Sequence, residues 1–351
     1  MVRAGQISAP LLVVSGPTAC GKSELALRLA ADLDGEIINL DSVQVWRGFD
    51  VGAAKLPFAE QRGIPHHLID ICGPGEKFSA AAYLRRAESA IAEIRSRGRL
   101  PIFVGGTTMY LTMLLHGLAK MPAGDPALRA ELEAKSSEEL HGMLAARDAR
   151  AAEKLHLNDR LRVIRALESI MLSGESCSAG REAHAYKEER HRALMLVPLW
   201  PREELYRRIE VRSQRMLAAG LVEETKKLLE MYSSEAPAFN SIGYSQVLSH
   251  LKGEIAEGNL AGLISQFTRR YAKRQMTYWR NEPAKRGWLC RPEPETVGAL
   301  EIGAEAPHAK RGAAGFTAFS FDYETLREWV ASRLRADFDT SEVWYVVEKV
   351  T

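Results

Sequence analysis

The chain has 351 residues, of which 46% are hydrophobic and 26% charged, with a formal net charge of +2 at pH 7. This composition excludes disordered and fibrous proteins, and the length predicts two domains or one large domain with an insertion. Its four cysteines have no paired spacing, which argues against a zinc module and a disulfide framework. No apolar run is long enough to span a membrane, and residues 1–10 lack a signal-peptide pattern, so we expect a cytoplasmic protein.

A glycine-rich loop lies between the first predicted strand, residues 11–14, and a helical segment that begins at Glu24. Glycines let successive N–H groups turn toward an anion, and a helix N-terminus adds partial positive charge. The pattern predicts a diphosphate or triphosphate ligand, with Lys22 on the phosphate oxygens and Ser23 on a magnesium ion, but it leaves the chemistry open. The loop consists of Gly16, Pro17, Thr18, Ala19, Cys20, Gly21, Lys22 and Ser23.

Strand-like and helical segments alternate in the first third of the chain. Residues 36–40 and 100–104 have strand patterns, and residues 80–97 have helical periodicity. This alternation predicts an α/β fold, a P-loop NTPase-like parallel sheet flanked by helices, with an inserted all-helical subdomain. We expect the catalytic core at 8–121 and 190–290, the insertion at 122–189, and a C-terminal extension of unknown role at 291–351.

Polar residues follow two of the predicted strands. Asp41 ends the second strand, and Gly105-Gly106-Thr107 follows the strand at 100–104, so both lie at the ligand-binding edge of a parallel sheet. Asp41 could hold magnesium, act as a general base, or cap the next helix. Thr107 could contact the reacting groups or bond its own backbone. The strand before Thr107 lacks the acidic end of ATP-hydrolysing machines.

Basic side chains form further candidate sites. Arg212 shares a helix face with apolar residues, so it is either a diphosphate ligand or a salt-bridged arginine, whereas the adjacent His66 and His67 favour a structural role over a metal site. Two clusters of basic residues occur in the chain, one at 158–165 and one in the helix at 267–280. In the helix at 267–280, Arg269, Lys273 and Arg280 face away from three aromatic residues, which we expect to dock that helix: Phe267, Tyr271 and Tyr278. Two basic clusters beside an anion-binding loop indicate a nucleic-acid substrate.

These motifs together resemble the bacterial tRNA dimethylallyltransferase (tRNA isopentenyltransferase) family over residues 11–280. The resemblance rests on the loop at 16–23, Asp41-Ser42-Val43-Gln44-Val45-Trp46-Arg47-Gly48, Pro65-His66-His67, Gly105-Gly106-Thr107 with Tyr110, Arg162-Val163-Ile164-Arg165-Ala166-Leu167-Glu168, Ile242-Gly243-Tyr244 and Tyr271-Ala272-Lys273-Arg274-Gln275. The sequence after about residue 291 lies outside it.

The resemblance implies transfer of a dimethylallyl group from dimethylallyl diphosphate to the exocyclic amine of the adenosine 3′ of the tRNA anticodon. Lys22, magnesium on Ser23, and Arg212 would stabilise the leaving diphosphate, Asp41 would assist the attacking amine, and Thr107 would position the reacting groups. The target base would be flipped out of the anticodon loop. We expect a monomer. The expected tRNA-binding residues are Asp41, Ser42, Val43, Gln44, Thr107, Arg129, Leu161, Arg162, Val163, Ile164, Arg165, Lys273 and Arg274.

Three other functions fit parts of the pattern. A small-molecule kinase would use the same loop with ATP. A prenyltransferase acting on free adenine nucleotides would need the loop and Asp41 but no helical insertion. An RNA-binding protein with a vestigial loop would have no activity at all.

Overall fold

The computed structural model describes residues 10–76, 78–117, 122, 124–178, 190–285, 289–290, 299–301, 317–321, 323–335 and 342–348. These residues divide into two compact units, the described parts of Met1–Leu115 with Arg190–Thr351 and those of His116–Glu189. Within them, no helix is long and apolar enough to cross a membrane.

A sheet of nine strands forms the first unit. Its order is β3-β2-β4-β1-β5-β9-β8-β7, with β6 beside β9, and among the described strands only the pairing of β7 with β8 is antiparallel. The first five strands form a parallel sheet, so the predicted α/β fold is confirmed. The strands are β1 (Leu11–Ser15), β2 (Gly35–Asn39), β3 (His66–His67), β4 (Leu100–Gly105), β5 (Ala193–Pro198), β6 (Leu289–Cys290), β7 (Ala299–Glu301), β8 (Thr317–Phe321) and β9 (Glu342–Glu348).

Twelve α-helices lie in the described residues, and four of them belong to the second unit. They are α1 (Lys22–Asp32), α2 (Ala80–Ser96), α3 (Thr108–His116), α4 (Pro126–Glu133), α5 (Ser137–Arg147), α6 (Ala149–Lys154), α7 (Arg160–Ser173), α8 (Arg202–Ala218), α9 (Leu221–Met231), α10 (Tyr244–Leu251), α11 (Glu257–Lys285) and α12 (Tyr323–Arg335). In the second unit, α4 to α7 enclose an apolar cluster that includes Leu132, Leu144 and Val163.

The central strand β1 is buried along its whole length because helices cover both faces of the sheet. Alternate residues of a strand point to opposite faces, so Leu11 and Val13 join one core cluster while Leu12 and Val14 join the other. The first cluster contains side chains of α2 and α3, and the second contains those of α1.

The C-terminal part of the chain adds to this core. Strand β9 pairs with β5, and Leu326 and Val330 of α12 are buried in the same cluster as α1. The Tyr323 hydroxyl donates to Asp32 at 2.7 Å, and the Arg28 guanidinium lies 3.5 Å from the Tyr323 ring centroid. The strand predicted at 316–321 corresponds to β8, whereas most of the linker predicted before it lies outside the described residues.

The expectation that Phe267, Tyr271 and Tyr278 dock α11 is wrong for Phe267 but confirmed for Tyr278. Tyr278 packs against the sheet core, and its hydroxyl lies 2.9 Å from that of Thr112. Phe267 is 39% exposed, and Tyr271 and Tyr278 are only half-buried. In the second half of α11 the buried residues are Ala272, Gln275 and Trp279. These residues are three and four positions apart, so they share one helix face, and a small residue and an amide let the helix backbone approach the sheet closely.

Candidate active site

The glycine-rich loop joins β1 to α1 at the carboxyl end of the sheet. Gly21 precedes α1 with φ of 89°, a left-handed conformation that favours glycine, and no side chain caps the helix there. The first-turn N–H groups are therefore not occupied by a side-chain cap and can bind an anion.

A pocket of about 420 Å³ opens beside this loop. One wall is the N-terminus of α1, and the other is a row of arginines on α8, so the pocket is strongly cationic and suits a diphosphate. Its lining residues are Ala19, Gly21, Lys22, Ser23, Glu24, Arg207, Arg208, Val211, Arg212 and Arg215.

Two residues that the sequence did not single out hold this wall against the loop. The Arg208 Nε donates to the Ala19 carbonyl at 3.0 Å, and the guanidinium carbon lies 4.3 Å from the Trp200 ring centroid. The Trp200 indole in turn donates to the Cys20 carbonyl at 2.9 Å. The sequence could not reveal these roles of Arg208 and Trp200, because their partners are backbone carbonyls, which every residue has.

Arg212 lines the pocket beside the glycine-rich loop and interacts electrostatically with Asp41 after β2. Burial lowers the pKa of the Arg212 guanidinium, and the nearby Asp41 carboxylate opposes this effect. The structure thus brings Arg212 close to both an anion-binding pocket and an acidic side chain. The Lys22 ammonium donates to the Pro17 carbonyl at 3.3 Å within the same loop.

Asp41 does not cap a helix. Its Oδ1 accepts a hydrogen bond from the Val43 N–H at 2.8 Å, which closes a local turn. Asn39 clamps the Asp41 backbone, because its side-chain oxygen accepts from the Asp41 N–H and its side-chain nitrogen donates to the Asp41 carbonyl, both at 2.9 Å. The carboxylate is consequently held at the sheet edge.

Thr107 serves the neighbouring loop rather than its own turn. Its hydroxyl accepts from the Ser42 N–H at 3.0 Å, and its own N–H donates to the Leu40 carbonyl at 3.0 Å. Tyr271 of α11 is a neighbour of Thr107. Burial and the Asp41 charge raise the pKa of Tyr271 to about 12, against the lowering effect of the Thr107 side chain, so its hydroxyl is neutral beside that carboxylate.

The segment after Gln44 is held by buried and half-buried groups of the same unit. The Glu224 carboxylate accepts from the Val51 N–H at 2.9 Å and also bonds the Tyr244 hydroxyl. Lys55 donates to the Trp46 carbonyl at 2.6 Å, and the Gln44 side chain donates to the Ala53 carbonyl at 3.2 Å. Tyr244 therefore supports this segment through Glu224 and does not line the pocket.

The two adjacent histidines have structural partners. The His67 Nε2 lies 2.6 Å from Glu36, and the His66 Nδ1 lies 2.8 Å from the Ile64 carbonyl. Hydrogen bonding from Arg97 lowers the pKa of the buried Glu36 to about 2. No cluster of three potential metal-binding His, Cys, Asp or Glu residues occurs in the described part of the chain.

The second unit has its own charged network. The buried Glu168 accepts from Arg129 at 2.9 Å and from Arg165 at 2.8 Å. Burial alone would raise the pKa of Glu168, but the hydrogen bonds from Arg165 and Arg129 lower it below its ordinary value. The two arginines are thereby fixed at the start of α4 and in α7.

The expected tRNA-binding stretch of α7 is divided between surface and core. Leu161 is 79% exposed and Arg162 is also exposed. The side chains of Val163 and Ile164 are buried in the core of the second unit, so the expectation that they contact tRNA directly has to be corrected. In the first unit, Lys273 and Arg274 are both exposed on α11.

A family profile described as IPP transferase matches residues 44–282. The chain belongs to the IPP transferase family. This confirms the family predicted from the sequence motifs. The match begins after the glycine-rich loop and covers the segments that hold Thr107, Arg212 and Gln275.

Curated and solved relatives agree with this membership. The IPP transferase chain is 48% identical over 277 residues to tRNA dimethylallyltransferase of Geobacter metallireducens, covering 78% of this chain and 90% of the relative. It is 37% identical to the solved tRNA isopentenylpyrophosphate transferase of Bacillus halodurans, with a TM-score of 0.57 over 78% of this chain and 88% of that one. A solved eukaryotic dimethylallyltransferase acting on tRNA is 29% identical, with a TM-score of 0.67 over 78% of this chain and 70% of that one.

Proposed function

We propose that this IPP transferase is a tRNA dimethylallyltransferase. It transfers a dimethylallyl group from dimethylallyl diphosphate to the N6 amine of the adenosine 3′-adjacent to the anticodon, giving N6-(dimethylallyl)adenosine. The observation that carries the proposal is the position of Arg212, which lies beside the cationic pocket and close to the Asp41 carboxylate. An anion site and a candidate base therefore occupy one edge of the sheet, and the named relatives supply the substrate class.

The cationic pocket holds the diphosphate leaving group. Negative charge increases on this group as the carbon–oxygen bond breaks, so Lys22, the N–H groups of α1 and Arg212 stabilise the transition state more than the ground state. Arg208 completes the same wall. The backbone on the other side of the pocket belongs to the glycine-rich loop, which includes Gly16, Pro17, Thr18, Ala19, Cys20 and Ser23.

Magnesium fits the donors at this pocket. Ser23 is exposed and offers a hydroxyl oxygen at the start of α1. Magnesium prefers oxygen ligands and usually takes few of them from protein when substrate phosphates and water complete its shell. The bound ion supplies further charge stabilisation to the diphosphate.

Asp41 and Thr107 act on the acceptor side. An adenine exocyclic amine is a poor nucleophile because its lone pair is delocalised into the ring, so a carboxylate that accepts its proton assists attack on the prenyl carbon. Thr107 holds the loop of Ser42, Val43 and Gln44 and so orients Asp41. The base reaches this edge after leaving the anticodon stack.

The helical insertion at 122–189 contacts the anticodon arm. Arg162, Arg129 and Arg165 supply an exposed or partly exposed cationic surface within that unit, beside the exposed apolar side chain of Leu161. Lys273 and Arg274 supply another cationic surface within the core. Because its acceptor is tRNA, we expect the enzyme to work in the cytoplasm. We also expect it to act as a monomer, and sedimentation of the purified chain tests this expectation.

One assay tests the proposed function against its alternatives. Purified enzyme and magnesium are incubated with radiolabelled dimethylallyl diphosphate and with tRNA, adenosine monophosphate or no acceptor. Label on tRNA alone is the expected result, and nuclease digestion locates it next to the anticodon. Label on the mononucleotide, or ATP turnover without prenyl transfer, contradicts the proposal.

A further inference from the structure

Gln275 is a buried amide on α11 that bonds two separate loops of the active site. Its Oε1 accepts a hydrogen bond from the Thr18 N–H at 2.9 Å, within the glycine-rich loop. Its Nε2 donates to the Gly106 carbonyl at 2.9 Å, within the loop that carries Thr107. The side chain is only 4% exposed; its bond to Gly106 is buried and its bond from Thr18 is partly buried.

The chain makes room for this side chain at Gly106. A Cβ at that position would collide with the Gln275 amide nitrogen, so only glycine allows this approach without a shift. One helical turn earlier, the Tyr271 side chain interacts with those of Thr107 and Gln275, which lower its pKa against the larger effect of burial. One face of α11 therefore meets both the diphosphate loop and the acceptor loop.

An amide suits this position because it offers a donor and an acceptor at once. A carboxylate or an ammonium group would satisfy only one of the two loops. An apolar side chain would leave both the Thr18 N–H and the Gly106 carbonyl without this partner, and buried polar groups without partners are costly.

We propose that Gln275 is a positioning residue that sets the separation of the diphosphate loop from the loop of Thr107. The inference rests on the proposed function, in which one loop grips the leaving group and the other orients the attacking amine. Bond formation requires the amine nitrogen and the prenyl carbon to approach to about 3–3.5 Å in line, so a loop displaced by a fraction of that distance slows the chemical step. Gln275 itself does not line the cationic pocket.

The test compares Gln275→Met, which has nearly the same length but no amide, with Thr277→Val as a control on an exposed position of the same helix. Single-turnover prenyl transfer to tRNA should fall by about 100-fold in the methionine variant. The dissociation constants for inorganic diphosphate and for tRNA should stay within about threefold of wild type, since the groups that bind them remain. The control should match wild type in all three measurements.

A second variant tests the same role if Gln275→Met does not fold. Gln275→Asn keeps an amide but is one methylene shorter, so it cannot span both loops, and its single-turnover rate should also fall while circular dichroism and diphosphate binding stay unchanged. A folded variant with wild-type rate, or an equal loss of rate and diphosphate affinity, overturns the positioning role. If the wild-type enzyme transfers no label to tRNA, both the proposed function and the positioning role fail. If the wild-type enzyme is active, a folded Gln275 variant with the wild-type rate contradicts the positioning role alone.

Discussion

The Thr107 hydroxyl accepts a hydrogen bond from the Ser42 N–H at 3.0 Å, so the loop after β4 holds the loop after β2. The Asp41 carboxylate is attached to the same short segment through its bond from the Val43 N–H. The two strand ends therefore behave as one unit, and a change at Thr107 should be felt at the carboxylate next to it.

Thr107→Val should reduce turnover by about 10- to 100-fold, because the Ser42 N–H loses its acceptor and the Asp41 loop loses its orientation. The dissociation constant for diphosphate should change little, since Thr107 does not line the cationic pocket. Steady-state kinetics and diphosphate titration measure the two quantities. A variant with normal turnover would show that the bond to Ser42 does not matter for the reaction.

Asp41→Asn keeps the size and the turn-forming acceptor oxygen of the side chain but removes its negative charge. We expect turnover to fall by about 100-fold or more while tRNA affinity is nearly retained, because proton acceptance is needed only in the chemical step. Filter binding of tRNA and single-turnover transfer measure the two effects. Equal losses in both would contradict the role of Asp41 in catalysis.

Arg212→Met should weaken diphosphate binding and lower turnover, since a cation beside the leaving group is lost. Arg208→Met should have a similar but smaller effect, because the Arg208 Nε is already bonded to the Ala19 carbonyl and fewer of its donors are available to the diphosphate. Titration with inorganic diphosphate measures both. Arg202→Met is the matched control: that side chain is exposed on the same helix and does not line the pocket, so little change is expected there.

Leu326→Ala tests the packing of the C-terminal helix. Leu326 is 5% exposed within the cluster that contains α1, so its truncation should lower the free energy of unfolding by about 2–5 kcal/mol. Urea unfolding measures the change. Glu328→Ala, on the exposed side of α12, is the control and should have little effect. If both variants unfold at the same urea concentration as wild type, α12 does not stabilise the core.

Glu36 should contribute acid-sensitive stability. Hydrogen bonding from Arg97 lowers its pKa in the folded protein from 4.5 to about 2. A group whose folded pKa is depressed stabilises the protein above its unfolded pKa, and this stabilisation is lost as the pH falls from about 4.5 toward 2. The difference in unfolding free energy between wild type and Glu36→Gln should therefore shrink over that range. A difference that is constant from pH 6 to pH 2.5 would contradict the prediction.

Local patterns in the sequence were sufficient for several features of this protein. The loop at 16–23, the alternation of strands and helices, and the polar strand ends at Asp41 and Thr107 all depend on short-range properties: glycine conformations, hydrophobic periodicity, and the rule that parallel strands end at one edge. The same motifs were specific enough to indicate the IPP transferase family.

Only the tertiary structure decided which groups meet across the chain. Gln275 bonds Thr18 although 257 residues separate them, and Arg208 bonds a carbonyl that has no signature in the sequence. Periodicity also misjudged part of α11, where Phe267 lies at the surface while Ala272, Gln275 and Trp279 are buried. The physical reason is that a helix with apolar side chains on more than one face has no single preferred orientation until its packing partners are in place.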